Sequence, residues 1–251
     1  MIWDDFESVQ TRRHPAAIDT LVFLTEQTAE MDFELARFNM VEQQIRPWDV
    51  LDQSVLDLLL TVKREDFVPP ALRALAFSDL ELPLDIAGSQ TGEVMLAPKV
   101  EARLLQAAAV KRSDSVLEIG AGSGYMAALL AQQAARVLTY EIQPVLARFA
   151  IQNLQRAGVV NAVVREGQGL SAADAGPFDL IVLSGSVSFV PDQLLSALSP
   201  GGRLIAIVGE PPMMTAQLIT RTDSAQFSAE ILFDTVAKPL VGFPQKDRFV
   251  F

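Results

Sequence analysis

The chain of 251 residues contains no cysteine and a single histidine, His14. Without cysteine it can form no disulfide, no thiolate metal site and no cysteine nucleophile, and it suits a reducing cytosol. Basic residues are scarce as well, since 20 Lys and Arg stand against 31 Asp and Glu, for a formal net charge of −11. Nucleic-acid binding normally needs a basic patch, so this charge argues against it.

Long apolar runs are also missing. No run reaches the roughly 18 residues that a membrane-spanning helix needs. The start, Met1–Asp5, lacks the basic region of a secretory signal. We therefore expect a cytoplasmic protein with no membrane segment, and we predict no metal site and no role for His14.

What the chain does contain is enough apolar sequence for a large core, since 50% of its residues are hydrophobic. Residues 1–30 show no strong periodicity of apolar residues and are predicted to be an N-terminal extension. The remainder, 31–251, has the length of one α/β domain. Within it we predict a helical cap followed by a loop region over 31–97, and an α/β core over 98–251.

Helical spacing of apolar residues predicts an amphipathic first cap helix over Phe33–Ile45, whose apolar side chains are Phe33, Leu35, Phe38, Val41 and Ile45. Asp52 can cap a second helix that runs through Val62. Proline and glycine residues interrupt the stretch from Leu80 to Pro98, which is therefore predicted to be irregular or extended.

From residue 98 onward helices and strands alternate, which is typical of a doubly wound parallel sheet. The predicted helices are Pro98–Val110, Tyr125–Ala134, Pro144–Ala157 and Asp192–Leu198. The predicted strands are Ser115–Ile119, Arg136–Glu141, Ala162–Glu166, Phe178–Ser184 and Arg203–Val208, with Ala216–Arg221 and Ser228–Phe233 as a closing antiparallel pair.

The most informative segment is the turn after the first of these strands, where Gly120, Gly122 and Gly124 alternate with small residues. Glycine lets the backbone adopt positive φ and lets a ligand approach the main chain closely. Such turns bind nucleoside-containing cofactors at the carboxyl ends of strands in open α/β sheets.

Spacing and nearby acids favour S-adenosylmethionine over a dinucleotide. A dinucleotide fingerprint is Gly-x-Gly-x-x-Gly, whereas this turn reads Gly-x-Gly-x-Gly and follows an acid, Glu118. Glu118 can meet the ammonium group of the methionine moiety. Glu141, which ends the second strand, can accept both ribose hydroxyls. The alternative is that the turn is only a common βα connection and that Glu141 is a solvated strand end.

Two further positions complete the predicted site. Gln168, between Gly167 and Gly169, is placed to meet the adenine edge, and Ser184 ends the fourth strand at its carboxyl end. The full set of predicted cofactor-binding residues is Glu118, Gly120, Ala121, Gly122, Ser123, Gly124, Glu141, Ile142, Gly167, Gln168 and Ser184.

Several segments together resemble the protein-L-isoaspartate O-methyltransferase family over about residues 31–243. They are Met40–Arg46, Arg64–Pro69, Ala76–Asp79 with Leu82–Leu84, Leu117–Tyr125, Pro177–Asp179 and Leu198–Leu204. The resemblance implies a Rossmann-like S-adenosylmethionine-dependent methyltransferase fold with an N-terminal helical cap, and a monomer. It also implies a protein or peptide acceptor, methylated on the side-chain α-carboxylate that isomerised asparagine or aspartate exposes.

Two loops depart from the family pattern. The family's Thr-Ile-Ser-(Gln/Ala)-Pro loop lines the acceptor site with hydroxyls, but Val94 and Leu96 occupy the Thr and Ser positions here. The family's Gly-Asp-Gly near adenine carries Gln168, which keeps a carbonyl acceptor for the adenine amino group.

The missing hydroxyls affect how the methyl acceptor is bound, and they do not affect the methyl-transfer reaction itself. A carboxylate is already ionised at pH 7, so methyl transfer to it needs alignment and no general base. We therefore assign no catalytic residue. A buried carboxylate does need donors, and Thr91, Lys99 or Arg103 are candidates, although Lys99 and Arg103 are better explained as a solvated helix face.

Three alternative functions follow from these observations. Leu96 favours a same-fold methyltransferase that acts on a small apolar acceptor, or a cofactor-binding relative without transfer activity. A dinucleotide-dependent oxidoreductase is the third alternative.

Overall fold

The computed structural model describes residues 32–86 and 88–245. The predicted extension over 1–30 lies outside the described residues, and so does His14. The division of the chain at residue 30 therefore stays a prediction. No helix in the described part of the chain is long and apolar enough to cross a membrane.

The cap contains two α-helices, α1 (Phe33–Met40) and α2 (Gln53–Thr61). Asp52 caps α2 as predicted, because its carboxylate accepts the backbone N–H of Ser54 at 2.8 Å. The predicted first helix differs from the structure in two ways. It changes to a π-helical turn over Val41–Ile45, and its side chains Leu35 and Phe38 are about half exposed whereas Arg37 and Met40 are buried. Val41 and Ile45 are buried as predicted, but in α1 Arg37 turns inward to an acidic partner, Glu65, while Leu35 and Phe38 face outward.

The predicted irregular segment contains a pair of two-residue antiparallel strands, β1 (Leu82–Pro83) and β2 (Val94–Met95). Pro98 begins helix α3 (Pro98–Ala108), in the first-turn position where a missing N–H costs nothing. The loop between β1 and β2 and the start of α3 lie beside the glycine turn.

The core is a seven-stranded sheet whose order is β5-β4-β3-β6-β7-β8-β9. Adjacent strands from β5 to β7 pair in parallel, and β8 pairs antiparallel with β7 and β9. The strands are β3 (Ser115–Ile119), β4 (Arg136–Glu141), β5 (Ala162–Glu166), β6 (Phe178–Val187), β7 (Leu198–Glu210), β8 (Met213–Arg221) and β9 (Phe227–Asp234). Every predicted strand is confirmed, and the last four, β6 to β9, are longer than predicted. Leu198, which was predicted to end a helix, instead begins β7, because the chain pairs with Phe178 of β6 there.

The sheet separates two apolar layers, and alternate residues of one strand enter opposite layers. On β6, Leu180 and Val182 belong to one cluster whereas Ile181 and Leu183 belong to the other. All four are buried, which explains why the strand reads as a continuous apolar run and not as an alternation. The connecting helices are α4 (Tyr125–Gln133), α5 (Pro144–Arg156) and α6 (Asp192–Ser196).

The strand order reverses beside β3, which lies between β4 on one side and β6 on the other. In an open α/β sheet, such a switch point opens a crevice at the carboxyl ends of the strands. The glycine turn follows β3 and therefore lies in this crevice.

Candidate active site

The glycine turn leaves β3 with three residues at positive φ, which are Gly120 at 96°, Gly122 at 51° and Gly124 at 83°. Two consecutive amides, of Gly120 and Ala121, donate to the carbonyl of Tyr140 on β4 at 2.8 and 3.1 Å. This pair of bonds ties the turn to the end of the neighbouring strand. A Cβ at Gly120 would lie 2.8 Å from Cδ2 of Leu240, so a side chain here would fill the crevice.

Glu118 lies fully buried at the base of the crevice. Its Oε1 accepts a hydrogen bond from Oγ of Ser184 at 2.7 Å. Its Oε2 has no hydrogen-bond partner among the described residues. Burial is the main cause that raises the pKa of Glu118 to about 8. The hydroxyls of Thr139 and Ser184 oppose the rise, and the nearby carboxylates of Glu101 and Glu141 contribute to it. An orphaned buried carboxylate oxygen is costly, and a cationic donor would satisfy it.

Glu141 ends β4 beside the glycine turn. Its Oε2 accepts the N–H of Gly122 at 2.8 Å, and its Oε1 accepts the N–H of Gln143 at 3.0 Å. Burial raises the pKa of Glu141, and these two amides oppose the rise. The carboxylate is therefore oriented by the backbone, with lone pairs left for further donors.

The crevice contains a larger cleft of about 520 Å³ and an adjoining smaller cavity of about 270 Å³. They share Leu84, Val94, Gly120, Gly122 and Ser184 as lining residues. The predicted residues Glu141, Ile142 and Gly167 line the larger cleft, and Glu118, Ala121 and Ser123 line the smaller cavity.

Two predicted residues line neither cavity. Gly124 is the N-cap of α4, and a Cβ there would lie 3.2 Å from the carbonyl oxygen of Ala150, so its small size serves helix packing. Gln168 is exposed and lies beside Gly242, next to the larger cleft.

The two apolar substitutions at the acceptor loop lie at the smaller cavity. Val94 is half-buried, Leu96 is buried, and both line the cavity together with Met95 and Met126. This wall consequently offers no hydroxyl from either position to a polar acceptor.

Arg64, whose role the sequence did not reveal, ties this wall to the cap. It is fully buried, pairs with Glu101, and donates to the carbonyl oxygens of Leu96 at 2.6 Å and Ala76 at 2.9 Å. Glu101 lines the smaller cavity, and burial raises its pKa while Arg64 opposes the rise. Arg64 thus holds both the acceptor loop and one wall carboxylate in place.

The three residues considered as substitute donors, Thr91, Lys99 and Arg103, contact other partners in the structure. Lys99 pairs with Asp79 at 2.7 Å and stacks over Trp48, and Arg103 stacks over Phe233. Oγ1 of Thr91 donates to the carbonyl of Leu84 at 3.0 Å, inside its own loop. None of the three is among the residues that line the two cavities.

Sequence reasoning also missed cleft residues that come from irregular segments. These are Leu84 and Glu93 on the loop between β1 and β2, and Leu240 and Val241 after β9. No periodicity marks such residues, because their positions depend on where the loops fold back over the sheet. Among the described residues, no cluster of three or more Asp, Glu or His side chains is arranged to hold a metal ion.

The residues present fit the cofactor that the glycine spacing suggested. The orphaned Oε2 of Glu118 suits an ammonium group. The Gly120 position leaves room that a Cβ would fill, and Glu141 lies one strand away with backbone-fixed oxygens.

Most of the chain matches a known protein family. The family model of protein-L-isoaspartate(D-aspartate) O-methyltransferase matches residues 36–243. The chain belongs to the protein-L-isoaspartate O-methyltransferase family. It is therefore an S-adenosylmethionine-dependent methyltransferase, and the resemblance seen in the sequence is confirmed.

Curated family members cover nearly the same span. A protein-L-isoaspartate O-methyltransferase of Koribacter versatilis is 35% identical over 211 residues, which are 84% of this chain and 92% of the relative. One of Gloeobacter violaceus is 41% identical over 187 residues, which are 73% of this chain and 88% of the relative.

A solved structure carries the same fold. A Plasmodium falciparum protein assigned to the same enzyme class, crystallised with S-adenosyl-L-homocysteine, superposes with a TM-score of 0.67 at 20% identity. The match covers 83% of this chain and 97% of that chain. The predicted Rossmann-like methyltransferase fold is thereby confirmed.

Proposed function

We propose that this methyltransferase binds S-adenosylmethionine across the glycine turn and esterifies the side-chain carboxylate of isoaspartyl residues in damaged protein. The observation that carries the cofactor assignment is the orphaned, fully buried Oε2 of Glu118. It supports binding of the cofactor's ammonium group at the smaller cavity.

The other cofactor contacts follow from the two strands beside β3. Glu141 would accept the ribose hydroxyls, because its carboxylate is buried at the end of β4 and held by two amides. Ile142 and Gly167 would border the adenine, with Gln168 as an acceptor at its edge. Ser184 would hold Glu118 in position through the hydrogen bond to Oε1.

Bound S-adenosylmethionine supplies an electrophilic methyl group on a sulfonium. The protein needs no general base, since the acceptor carboxylate is ionised at neutral pH. Its residues act by alignment and by excluding water. Leu84 and Leu240 suit that task, since each lies in van der Waals range of a glycine of the turn and lines the larger cleft.

The test is methyl-ester formation on a peptide that contains one isoaspartyl residue, with radiolabelled cofactor. The matched control peptide carries aspartate at the same position. We expect base-labile label on the isoaspartyl peptide alone. Tight cofactor binding with no label on either peptide would contradict the proposed acceptor.

One observation favours a second candidate, a small apolar acceptor. Val94, Met95, Leu96 and Met126 give the smaller cavity an apolar wall. Methylation of small apolar alcohols or phenols in the same assay, with none of the isoaspartyl peptide, would select this candidate.

We further propose that the enzyme acts in the cytoplasm, because a cysteine-free chain suits a reducing compartment and damaged proteins supply its substrate there. The absence of nucleic-acid partners and the monomeric state remain predictions. Fractionation of the source cells would test the cytoplasmic location, and size-exclusion chromatography would test the monomeric state.

A further inference from the structure

The crevice is acidic where an anionic acceptor must enter. Glu93 and Glu141 line the larger cleft, and Glu101 and Glu118 line the smaller cavity. No lysine or arginine is among the residues that line either space. Glu101 is paired with Arg64, and the ammonium of bound cofactor would meet Glu118, so Glu93 and Glu141 are the acids left without a cationic partner within the two spaces. A carboxylate brought there loses its hydration, so it needs donors of its own besides the sulfonium of the cofactor.

Arg64 cannot serve as that cation. Its side chain is fully buried, and its three nitrogens already contact Ala76, Leu96 and Glu101. The positive charge of Arg64 is therefore neutralised by Glu101 and is not available to an acceptor carboxylate.

Lys238 lies in the segment that follows β9. It lines neither cavity itself, but its ammonium contacts Glu93, which lines the larger cleft. The N–H of Ser186, at the end of β6, donates to the carbonyl of Lys238 at 2.9 Å. This bond fixes the lysine backbone two residues from Ser184, which lines the cleft.

The lysine side chain then extends to the loop between β1 and β2. Its Nζ lies 3.0 Å from Oε2 of Glu93 and donates to the carbonyl of Gly92. Lys238 therefore joins the two elements that carry Glu93 and Ser184, both of which line the larger cleft. An ammonium has three N–H donors. Two are accounted for by these partners, and the side chain is 38% exposed.

We infer that Lys238 is a specificity-determining residue, whose ammonium binds the acceptor carboxylate at the edge of the cleft. It supplies the donor that Val94 and Leu96 do not. The inference rests on the proposed function, because it takes the acceptor to be a carboxylate. Lys99 is the weaker candidate, because its partner Asp79 lines neither cavity, whereas the partner of Lys238, Glu93, lines the larger cleft.

The test compares Lys238→Gln, which removes the charge, with Lys238→Arg, which keeps it. Lys99→Gln is the matched control for loss of one positive charge. Steady-state kinetics with the isoaspartyl peptide would be measured at saturating S-adenosylmethionine, and peptide binding to the S-adenosylhomocysteine complex by calorimetry. We expect Lys238→Gln to raise the peptide KM and Kd about tenfold, which corresponds to about 1.4 kcal/mol. The cofactor KM should change less than twofold, and Lys238→Arg should stay within threefold of the wild type.

Glu93→Gln separates acceptor binding from a merely structural bridge. A bridge would be broken equally by either variant, so Glu93→Gln would raise the peptide KM as Lys238→Gln does, and that result would overturn the inference. If Lys238 binds the acceptor, Glu93→Gln frees its charge and lowers the peptide KM. An unchanged peptide KM in Lys238→Gln would overturn the inference alone. A wild-type enzyme that fails to esterify the isoaspartyl peptide would overturn the proposed function and the inference together.

Discussion

At the scale of single residues, Glu118 combines two properties that rarely occur together. It is fully buried, and one of its oxygens has no partner within the described part of the chain. The sequence predicted the acid because it precedes the glycine turn. Its unpaired oxygen and its bond from Ser184 depend on side-chain directions that spacing does not reveal.

This environment predicts a pH-dependent cofactor affinity. Burial raises the pKa of Glu118 to about 8, so the carboxyl holds a proton below that pH and must release it to bind an ammonium. Affinity for S-adenosylmethionine should therefore rise between pH 6 and 8, by up to about tenfold per unit, and fall again above about pH 8, where the α-amino group of the cofactor loses its proton. Calorimetry would measure it, and Glu118→Gln should weaken binding and flatten the profile. Glu166→Gln, which removes an exposed acid at the end of β5, is the matched control and should leave the profile intact.

The same shift affects the stability of the free protein. The pKa of Glu118 rises from 4.5 to about 8 on folding, so the folded state binds more protons than the unfolded state in that window. The stabilising contribution is present below pH 4.5 and is lost as the pH rises through 8. Urea titrations of wild type and Glu118→Gln would show converging stabilities at low pH, and a variant relatively more stable at high pH.

Leu96 is the second decisive residue, because it stands where the family has a serine. Leu96→Ser and Leu96→Ala both remove a buried isobutyl group and should each cost about 2–5 kcal/mol of stability. They differ only in the hydroxyl. Since a hydrogen bond to a charged group contributes about 1.5–3 kcal/mol, we expect Leu96→Ser to exceed Leu96→Ala about tenfold in kcat/KM for the isoaspartyl peptide. Equal values would show that the acceptor does not contact this position.

At the scale of elements, the three glycines of the turn between β3 and α4 serve two different purposes, open space in the crevice and close helix packing. Gly120 and Gly122 leave space in the crevice, whereas Gly124 lets α4 approach α5. The sequence pattern alone treats the three as equivalent.

Gly124→Ala should therefore destabilise the protein more than an alanine at an open glycine. Gly201 has φ of 74°, and no atom lies within 4 Å of the position that a Cβ would take there, so Gly201→Ala carries only the backbone strain, about 1 kcal/mol. At Gly124 the new methyl group would lie 3.2–3.3 Å from the backbone of Ala150. Overpacking adds about 1–3 kcal/mol. Urea denaturation would measure both variants, and equal losses would contradict close packing of α4 on α5.

Element boundaries followed from the sequence where turn residues mark both ends of an element. The strands β3, β4 and β5 have the predicted bounds, although β5 is a largely exposed edge strand, whereas the buried strands β6 and β7 are longer than predicted. In the cap helix α1, Leu35 and Phe38 were wrongly predicted to face inward. Arg37 is buried by an ion pair with Glu65, 28 positions later, and periodicity carries no information about such a distant partner.

At the scale of the whole molecule, cofactor binding should stabilise the folded state by mass action. S-adenosylmethionine at one hundred times its Kd contributes about 2.7 kcal/mol. For a domain of this size that corresponds to a rise of about 5–11 °C in Tm. A thermal melt would measure it, with NAD at the same concentration as the control. The absence of a shift with S-adenosylmethionine would contradict a cofactor site that is intact in this chain.

The sequence by itself determined the fold class and the family, and it predicted the residues at the donor end of the site. These depend on local patterns, since glycine spacing, strand-ending acids and apolar runs are set by neighbours a few residues apart. Only the tertiary structure decided what faces the acceptor. Arg64 binds the carbonyl of Leu96, 32 positions away, and Lys238 binds Glu93 across a still longer separation. Contacts between distant loops depend on how the whole chain packs, and for that reason the acceptor side of the crevice could not be read from the sequence.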